Sequence, residues 1–393
     1  MRRQGGQAWH WVRALGWCAP ILGIIVLHTQ PAQAMELRQH NERSAARWVA
    51  EGNEALMQGQ IDTAKERYQQ ALSMDARNFD ALFNLGLAWK EREHWEQARR
   101  RFEEALMVRP DSAPTISNLG FIAWALSDYQ EAASRFAAAA QVAASNPREA
   151  ADYLYNLGTA REALREWNEA RDAYRSAIEL DPDHYGSLYN LGTLYMGQHL
   201  RSSANAERYL RLAQRVAPDR PHAILNLAVL YESMGRTNDA EQHYDQAVDI
   251  ARNRQHDLLN TTLWRRAQFH NRRQPPQKVA MRRDLEELLR RDADFPGANG
   301  LLGRHYHALG DYERAIPLLE REVNERNFNP RREDDVDVIF LLARIFHDER
   351  PDRRKAMEYA TRFYHLRPDS PRERELRRRV RQMTSGSSNG EEQ

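Results

Sequence analysis

Cysteine is nearly missing from this chain. Cys18 is the single one in 393 residues, so the rest of the protein has no disulfide, no thiolate metal site and no cysteine nucleophile. Lysine is almost as scarce: Lys65, Lys90, Lys278 and Lys355 are the whole set, and arginine carries the remaining positive charge. No apolar run reaches the roughly 20 residues that span a bilayer comfortably. Nor is there a Gly-rich phosphate loop, a strand-turn-helix nucleophile or a dinucleotide fingerprint. His305 and His307 stand two apart, a spacing that does not share a helix face, and no cysteine or carboxylate cluster joins them at ligand spacing. Glu333, Asp334, Asp335 and Asp337 lack the loop-spaced oxygen ligands of a calcium site; the start of a helix accounts for them through the macrodipole. No catalytic residue, metal or cofactor is assigned.

The charge is unevenly spread. The formal net charge is +1, yet residues 35–250 hold 24 bases and 32 acids, a net of −8. Residues 251–393 hold 30 bases and 24 acids, a net of +6. The two parts are expected to face different surroundings. The basic C-terminal part suits an anionic membrane surface or an acidic polymer.

Residues 1–34 carry Arg2, Arg3 and Arg13 with no acid, then an apolar stretch from Ala14 to Leu27, then Ala32-Gln33-Ala34. That is the charged, apolar and small-x-small order of a secretory signal. Cleavage after Ala34 and a periplasmic location are expected, in keeping with a cysteine-free mature chain. An inner-membrane anchor through residues 14–27 is the alternative. Trp17 argues against lipidation of Cys18. With export, nucleic acid is not an expected partner.

One pattern dominates what is present. Asn84-Leu85-Gly86, Asn118-Leu119-Gly120, Asn156-Leu157-Gly158, Asn190-Leu191-Gly192 and Asn226-Leu227-Ala228 recur at steps of 34, 38, 34 and 36 residues. A fixed period near 34 marks a stacked helical array. An alanine follows about twelve residues after each small residue, an aromatic or leucine four further on, another alanine three beyond, and often a proline five later. Gly86, Trp89, Ala98, Phe102, Ala105 and Pro110 form one such set; Gly158, Ala170, Tyr174, Ala177 and Pro182 form another. Spacings of three and four place these residues on one face of each of two helices.

These landmarks closely resemble the tetratricopeptide repeat. The resemblance implies an all-α, right-handed α-solenoid of about nine helix pairs, approximately 45–77, 78–110, 111–148, 149–182, 183–218, 219–252, 253–296, 297–330 and 331–368. Pairs one to six form an N-terminal array over 35–252. The seventh, 253–296, is degenerate: two helical stretches, 257–270 and 279–292, are split by Arg272-Arg273-Gln274-Pro275-Pro276. Residues 297–368 form a C-terminal array. Within 369–393, Glu373 to Arg381 suits a basic capping helix, and 384–393 a disordered tail.

In this family the first helix of each pair lines the concave side, and in some members an asparagine column there grips the backbone of an extended peptide. Asn84, Asn118, Asn156, Asn190 and Asn226 match that column. The competing reading is repeat consensus that serves packing or solubility. An amide offers one main-chain unit both a donor and an acceptor. The preceding residues, Phe83, Ser117, Tyr155, Tyr189 and Leu225, also tend inward, and Phe83, Tyr155 and Tyr189 suit a groove. The expected function is a non-catalytic adaptor in the bacterial periplasm, capturing an extended partner segment for envelope assembly or secretion. The alternatives are a scaffold for exopolysaccharide export or polymerisation, and an enzyme with a site hidden in 253–296.

Overall fold

The computed structural model describes residues 31–324, 329–368 and 370–385. The apolar stretch at 14–27 lies outside them. Among the described residues there are nineteen α-helices and no strand, and no helix is long and apolar enough to cross a membrane. The fold class is an α-solenoid. The helices fall into nine antiparallel pairs: α1 (Pro31–Met57) with α2 (Ile61–Met74), α3 (Phe79–Glu91) with α4 (Trp95–Val108), α5 (Ala113–Ala125) with α6 (Tyr129–Val142), α7 (Pro147–Ala163) with α8 (Trp167–Leu180), α9 (Tyr185–Met196) with α10 (Ser203–Val216), α11 (Pro221–Ser233) with α12 (Thr237–Asn253), α13 (Leu259–Arg272) with α14 (Lys278–Arg291), α15 (Ala298–Ala308) with α16 (Tyr312–Glu322), and α17 (Glu333–Arg344) with α18 (Arg353–Leu366). A π-helical turn, Ile345–Glu349, extends α17, and α19 (Pro371–Ser385) follows the last pair. The chain divides into two compact units, Met1–Asp111 and Ser112–Gln393.

The small residue of each repeat has a steric cause. A Cβ on Gly86 would lie 2.8 Å from Cε1 of Phe102, and one on Gly120 would lie 2.8 Å from Cε1 of Phe136. Both rings are buried. The glycine therefore admits the ring sixteen residues later, and the ring fills the space between the paired helices. The fifth pair has two extra residues before α10, and there Gly192 meets Leu210, eighteen later, at 2.7 Å. The turn inside most of the pairs carries a left-handed residue. Glycine supplies it at Gly59, Gly235 and Gly310, but Glu93, Ser127 and Arg165 adopt φ of 56°, 63° and 61°. Side chains at Asn78, Ser112, Asp128, Asn146 and Ser202 cap the helices that follow them.

Several boundaries depart from the sequence reading. The first pair begins at Pro31 rather than near 45, because no glycine or proline interrupts residues 32–51. Its helix runs through Ala32-Gln33-Ala34. Thr384 and Ser385, expected in the tail 384–393, continue α19 instead; 386–393 lie outside the described residues. The seventh pair has helices at 259–272 and 278–291, close to the expected stretches. It is joined internally by charge. Arg266 is 4% exposed and Asp284 0%, and the guanidinium donates twice, Nε to Oδ2 at 2.9 Å and a terminal nitrogen to Oδ1 at 2.6 Å. Asp245 on α12 accepts a third bond from Arg266 at 2.8 Å.

The capping helix is held the same way. Leu376 is buried, Arg372 pairs with Asp337, and Arg379 pairs with Asp348 and Glu375. The acid run Glu333 to Asp335 occupies the first turn of α17, where the helix dipole favours negative charge. Glu333 also pairs with Arg367 at 2.8 Å. Much of the C-terminal arginine is thus spent on neighbouring acids.

Candidate functional site

The second unit carries a cavity of about 850 Å³ between its second, third and fourth pairs, lined by residues that include Tyr155, Asn156, Tyr189 and Asn190. Four of the expected groove residues meet there. Asn118 and Asn226 lie in the same unit outside the lining, while Phe83 and Asn84 belong to the first unit. Asp152, His184, Tyr185, Gly186, Arg220, His222 and His256 complete the wall; the sequence reading singled out none of these.

Helix phasing explains the convergence. Residues four apart share a face, so Tyr185 and Tyr189 on α9 stack in parallel, 6.0 Å between centroids and 5° between planes. Gly186, between them, lets the neighbouring helix approach: a Cβ there would sit 2.9 Å from Cε2 of Tyr155. Tyr155 in turn packs beside His184 at 5.3 Å. Arg220 lies 4.7 Å over the Tyr185 ring. Burial pushes the Tyr185 hydroxyl up to about 12, and it raises the Tyr189 hydroxyl too, although the Asn226 amide opposes this. Both phenols are neutral donors at ordinary pH.

His184 caps α9. Its Nδ1 accepts the Ser187 N–H at 3.1 Å, so the proton sits on Nε2, which donates to Asp152 Oδ1 at 3.0 Å. His222 stands edge-to-face with Tyr189 at 6.0 Å and with His256 at 5.0 Å. Burial, with the charges of His256 and Arg220, lowers the His222 pKa.

The amides are partly engaged already. Asn84 donates to Asn53 Oδ1 at 2.9 Å, Asn118 to the Pro114 carbonyl at 2.9 Å, Asn190 to the Tyr174 hydroxyl at 3.3 Å, and Asn226 to the Tyr189 hydroxyl at 3.2 Å. Each amide has two N–H groups and a carbonyl, so Asn190 and Asn226 keep an N–H and an oxygen for a ligand. Phe83 serves packing: it stacks on Phe79 at 5.9 Å and meets Phe102 edge-on at 5.6 Å.

A smaller cavity of about 420 Å³ lies among the later pairs, beside Trp264, Arg272, Arg304 and Arg332. Two of its three acids hold the structure together. Glu322 accepts the N–H of Gly297 and of Gly300, each at 2.9 Å, and Asp335 pairs with Arg332 at 3.2 Å. His307 is 3.0 Å from Glu349. Among the described residues no group of three or more candidate ligands is placed to hold a metal ion.

Tetratricopeptide-repeat family models match residues 55–119, 111–183, 185–253 and 282–330. The chain belongs to the tetratricopeptide-repeat family. Photosystem I assembly protein Ycf3 of Synechococcus elongatus is 31% identical over 105 residues, which is 24% of this chain and 60% of that protein. A second Synechococcus strain has a Ycf3 with the same figures. The chain thus spans 60% of the length of the curated relatives it matches. Among solved structures, PilF of Pseudomonas aeruginosa is 19% identical with a TM-score of 0.46, covering 53% of this chain and 91% of that one. PilW, a type IV pilus biogenesis factor, is 18% identical with a TM-score of 0.46, covering 56% and 98%. YrrB, a TPR protein with an unusual peptide-binding site, is 20% identical with a TM-score of 0.40, covering 48% and 95%.

Proposed function

We propose that this protein is a non-catalytic adaptor that captures an extended polypeptide segment in the second unit, and that it works in the bacterial periplasm after export. The observation that carries the reading is the cavity where Tyr155, Asn156, Tyr189 and Asn190 come together from the first helices of adjacent pairs. Flat rings take alternate side chains of an extended chain, and the amides address its main chain. Such recognition tolerates sequence variation, which suits an assembly factor. The relatives described as an assembly protein and as carrying a peptide-binding site accord with it.

The test is a peptide-display selection on the full chain. Asn156→Ala with Asn190→Ala is expected to leave the helical circular-dichroism signal intact and to abolish enrichment. Undiminished enrichment by that double variant, or a wild type that enriches nothing, removes the reading. The location has a separate test. A mature N-terminus near Met35 in a periplasmic extract is expected, and an intact Met1 in that extract refutes cleavage after Ala34.

A further inference from the structure

The second helices of the fifth and sixth pairs flank an open cavity of about 720 Å³, lined by Arg208, Arg211, Leu212, Gln214 and Arg215 on α10 and by His243 on α12. No acid lines it, and it shares no residue with the groove cavity. The helix is an exception in its surroundings. Residues 35–250 are acidic, with a net of −8, and α2, α4, α6, α8 and α12 carry no excess of arginine and lysine over acids. By contrast α10 carries Arg208, Arg211 and Arg215 against Glu207 alone. The three arginines are exposed, and their spacings of three and four put them side by side on one face.

What holds each arginine differs. Arg211 donates from Nε to the Tyr231 hydroxyl at 3.0 Å and pairs with Glu207 at 3.1 Å. Tyr231 donates to Glu207 at 3.0 Å, and Arg236 pairs with Glu207 at 2.9 Å and with Asp239 at 2.7 Å. Charge balances within that network, which fixes Arg211 in place. Arg208 and Arg215 stand outside it. Among the described residues Arg208 meets only the Tyr209 ring, at 5.5 Å, and Arg215 has no ion pair. His243 Nδ1 donates to the Asp239 carbonyl at 2.8 Å, so in the neutral ring Nε2 is left as an acceptor.

We propose that this cavity binds the phosphoryl group of a polyol phosphate ester, centred on Arg211 with Arg208 and Arg215 closing on it from either side, and that His243 accepts from a hydroxyl of the same ligand. Two uncompensated guanidinium charges match a phosphomonoester, which carries about −1.5 to −2 at neutral pH; a carboxylate would neutralise only one of them. The planar fork of a guanidinium fits two phosphoryl oxygens at once, and Leu212 offers apolar surface to the carbons of the ester. On α19, Arg372 and Arg379 are already spent on neighbouring acids, whereas Arg208 and Arg215 are not. The site lies on second helices, so it stands or falls apart from the groove reading.

The test is isothermal titration of the full chain at pH 7.5 and low salt with sn-glycerol 3-phosphate, inorganic phosphate and acetate. The wild type is expected to bind sn-glycerol 3-phosphate saturably, about threefold tighter than inorganic phosphate and about tenfold or more tighter than acetate. Arg208→Gln with Arg215→Gln changes two exposed side chains that hold no ion pair. Its circular-dichroism spectrum and Tm should match the wild type, while both phosphates bind about tenfold more weakly. His243→Phe keeps a ring beside Tyr231, and it should erase the advantage of the ester over inorganic phosphate while leaving inorganic phosphate binding unchanged. Flotation with phosphatidylcholine vesicles, plain or doped with lysophosphatidic acid, distinguishes the sources. Flotation that rises with the dopant and falls back in the double arginine variant places the ester in a lipid headgroup; flotation indifferent to the dopant, with the soluble ester bound, places it in solution. Acetate bound as tightly as the phosphates, or phosphate binding unchanged in the double arginine variant, overturns the site. So does a wild type that binds neither phosphate and ignores the doped vesicles.

Discussion

The Arg266–Asp284 pair should behave in opposite ways when it is broken and when it is removed. Asp284 is fully buried and Arg266 nearly so, with two direct hydrogen bonds between them. Asp284→Ala leaves a desolvated guanidinium held only by Asp245, whose side chain is 54% exposed. Such a loss costs about 3–5 kcal/mol. Replacing both partners, Arg266→Leu with Asp284→Leu, removes the desolvation penalty with the attraction, and it should be neutral or stabilising by up to about 4 kcal/mol. Arrays of this kind are stabilised by nearest-neighbour terms. Asp284→Ala should therefore melt in two steps, with the seventh pair and its neighbours opening first. At roughly 2–4 °C per kcal/mol, that first step falls about 6–20 °C below the wild-type Tm. Urea titration and differential scanning calorimetry of the three proteins decide it. The reasoning is refuted if Asp284→Ala costs under about 1 kcal/mol, or if the double variant is less stable than Asp284→Ala.

Other outcomes follow from the packing. Gly86→Ala places a methyl against the Phe102 ring; overpacking of about 1–3 kcal/mol less a helix-propensity gain of about 1 kcal/mol leaves a net loss near 1 kcal/mol by urea titration. Arg165→Gly relieves a left-handed residue at φ 61°, and the relief exceeds the entropy lost to glycine, so stability should rise by about 0.5 kcal/mol in the same assay. Acid should weaken the fold. Burial lowers the pKa of His222, His270 and His305, so their neutral forms stabilise fully above the unfolded value near 6.5. That contribution is lost as pH falls below it, because the unfolded chain then takes up the proton first. A Tm that is unchanged between pH 7.5 and 5.5 would contradict this.

The architecture was legible because each repeat encodes its own contact. A glycine and the ring sixteen residues later are one steric unit, and repetition makes that unit visible without coordinates. The seventh pair was legible as helices but not as a joint. Its signal lay one step deeper. Leu263, Arg266, Ala267 and His270 form one stripe, and Met281, Asp284, Leu285 and Leu288 form the facing one, with a cation and an anion at matched depth. The site was half legible. Asn156 and Asn190 line the cavity, and the residues one turn before the five asparagines are Asp80, Pro114, Asp152, Gly186 and His222. Three of these, Asp152, Gly186 and His222, line the cavity. They differ in kind, so no repeat signal draws attention to them. Packing favours sameness from pair to pair, and a ligand that reads several pairs needs difference. In this chain the differences on that face run from an acid paired with His184 through a glycine to a histidine. That gradient gives the groove a direction, which the uniform asparagine column does not. A segment captured there should accordingly bind in one orientation. A spin label or crosslinker at one end of a bound peptide tests this: contact should form with one flank of the cavity, and equal contact with both flanks would show that the amides act alone.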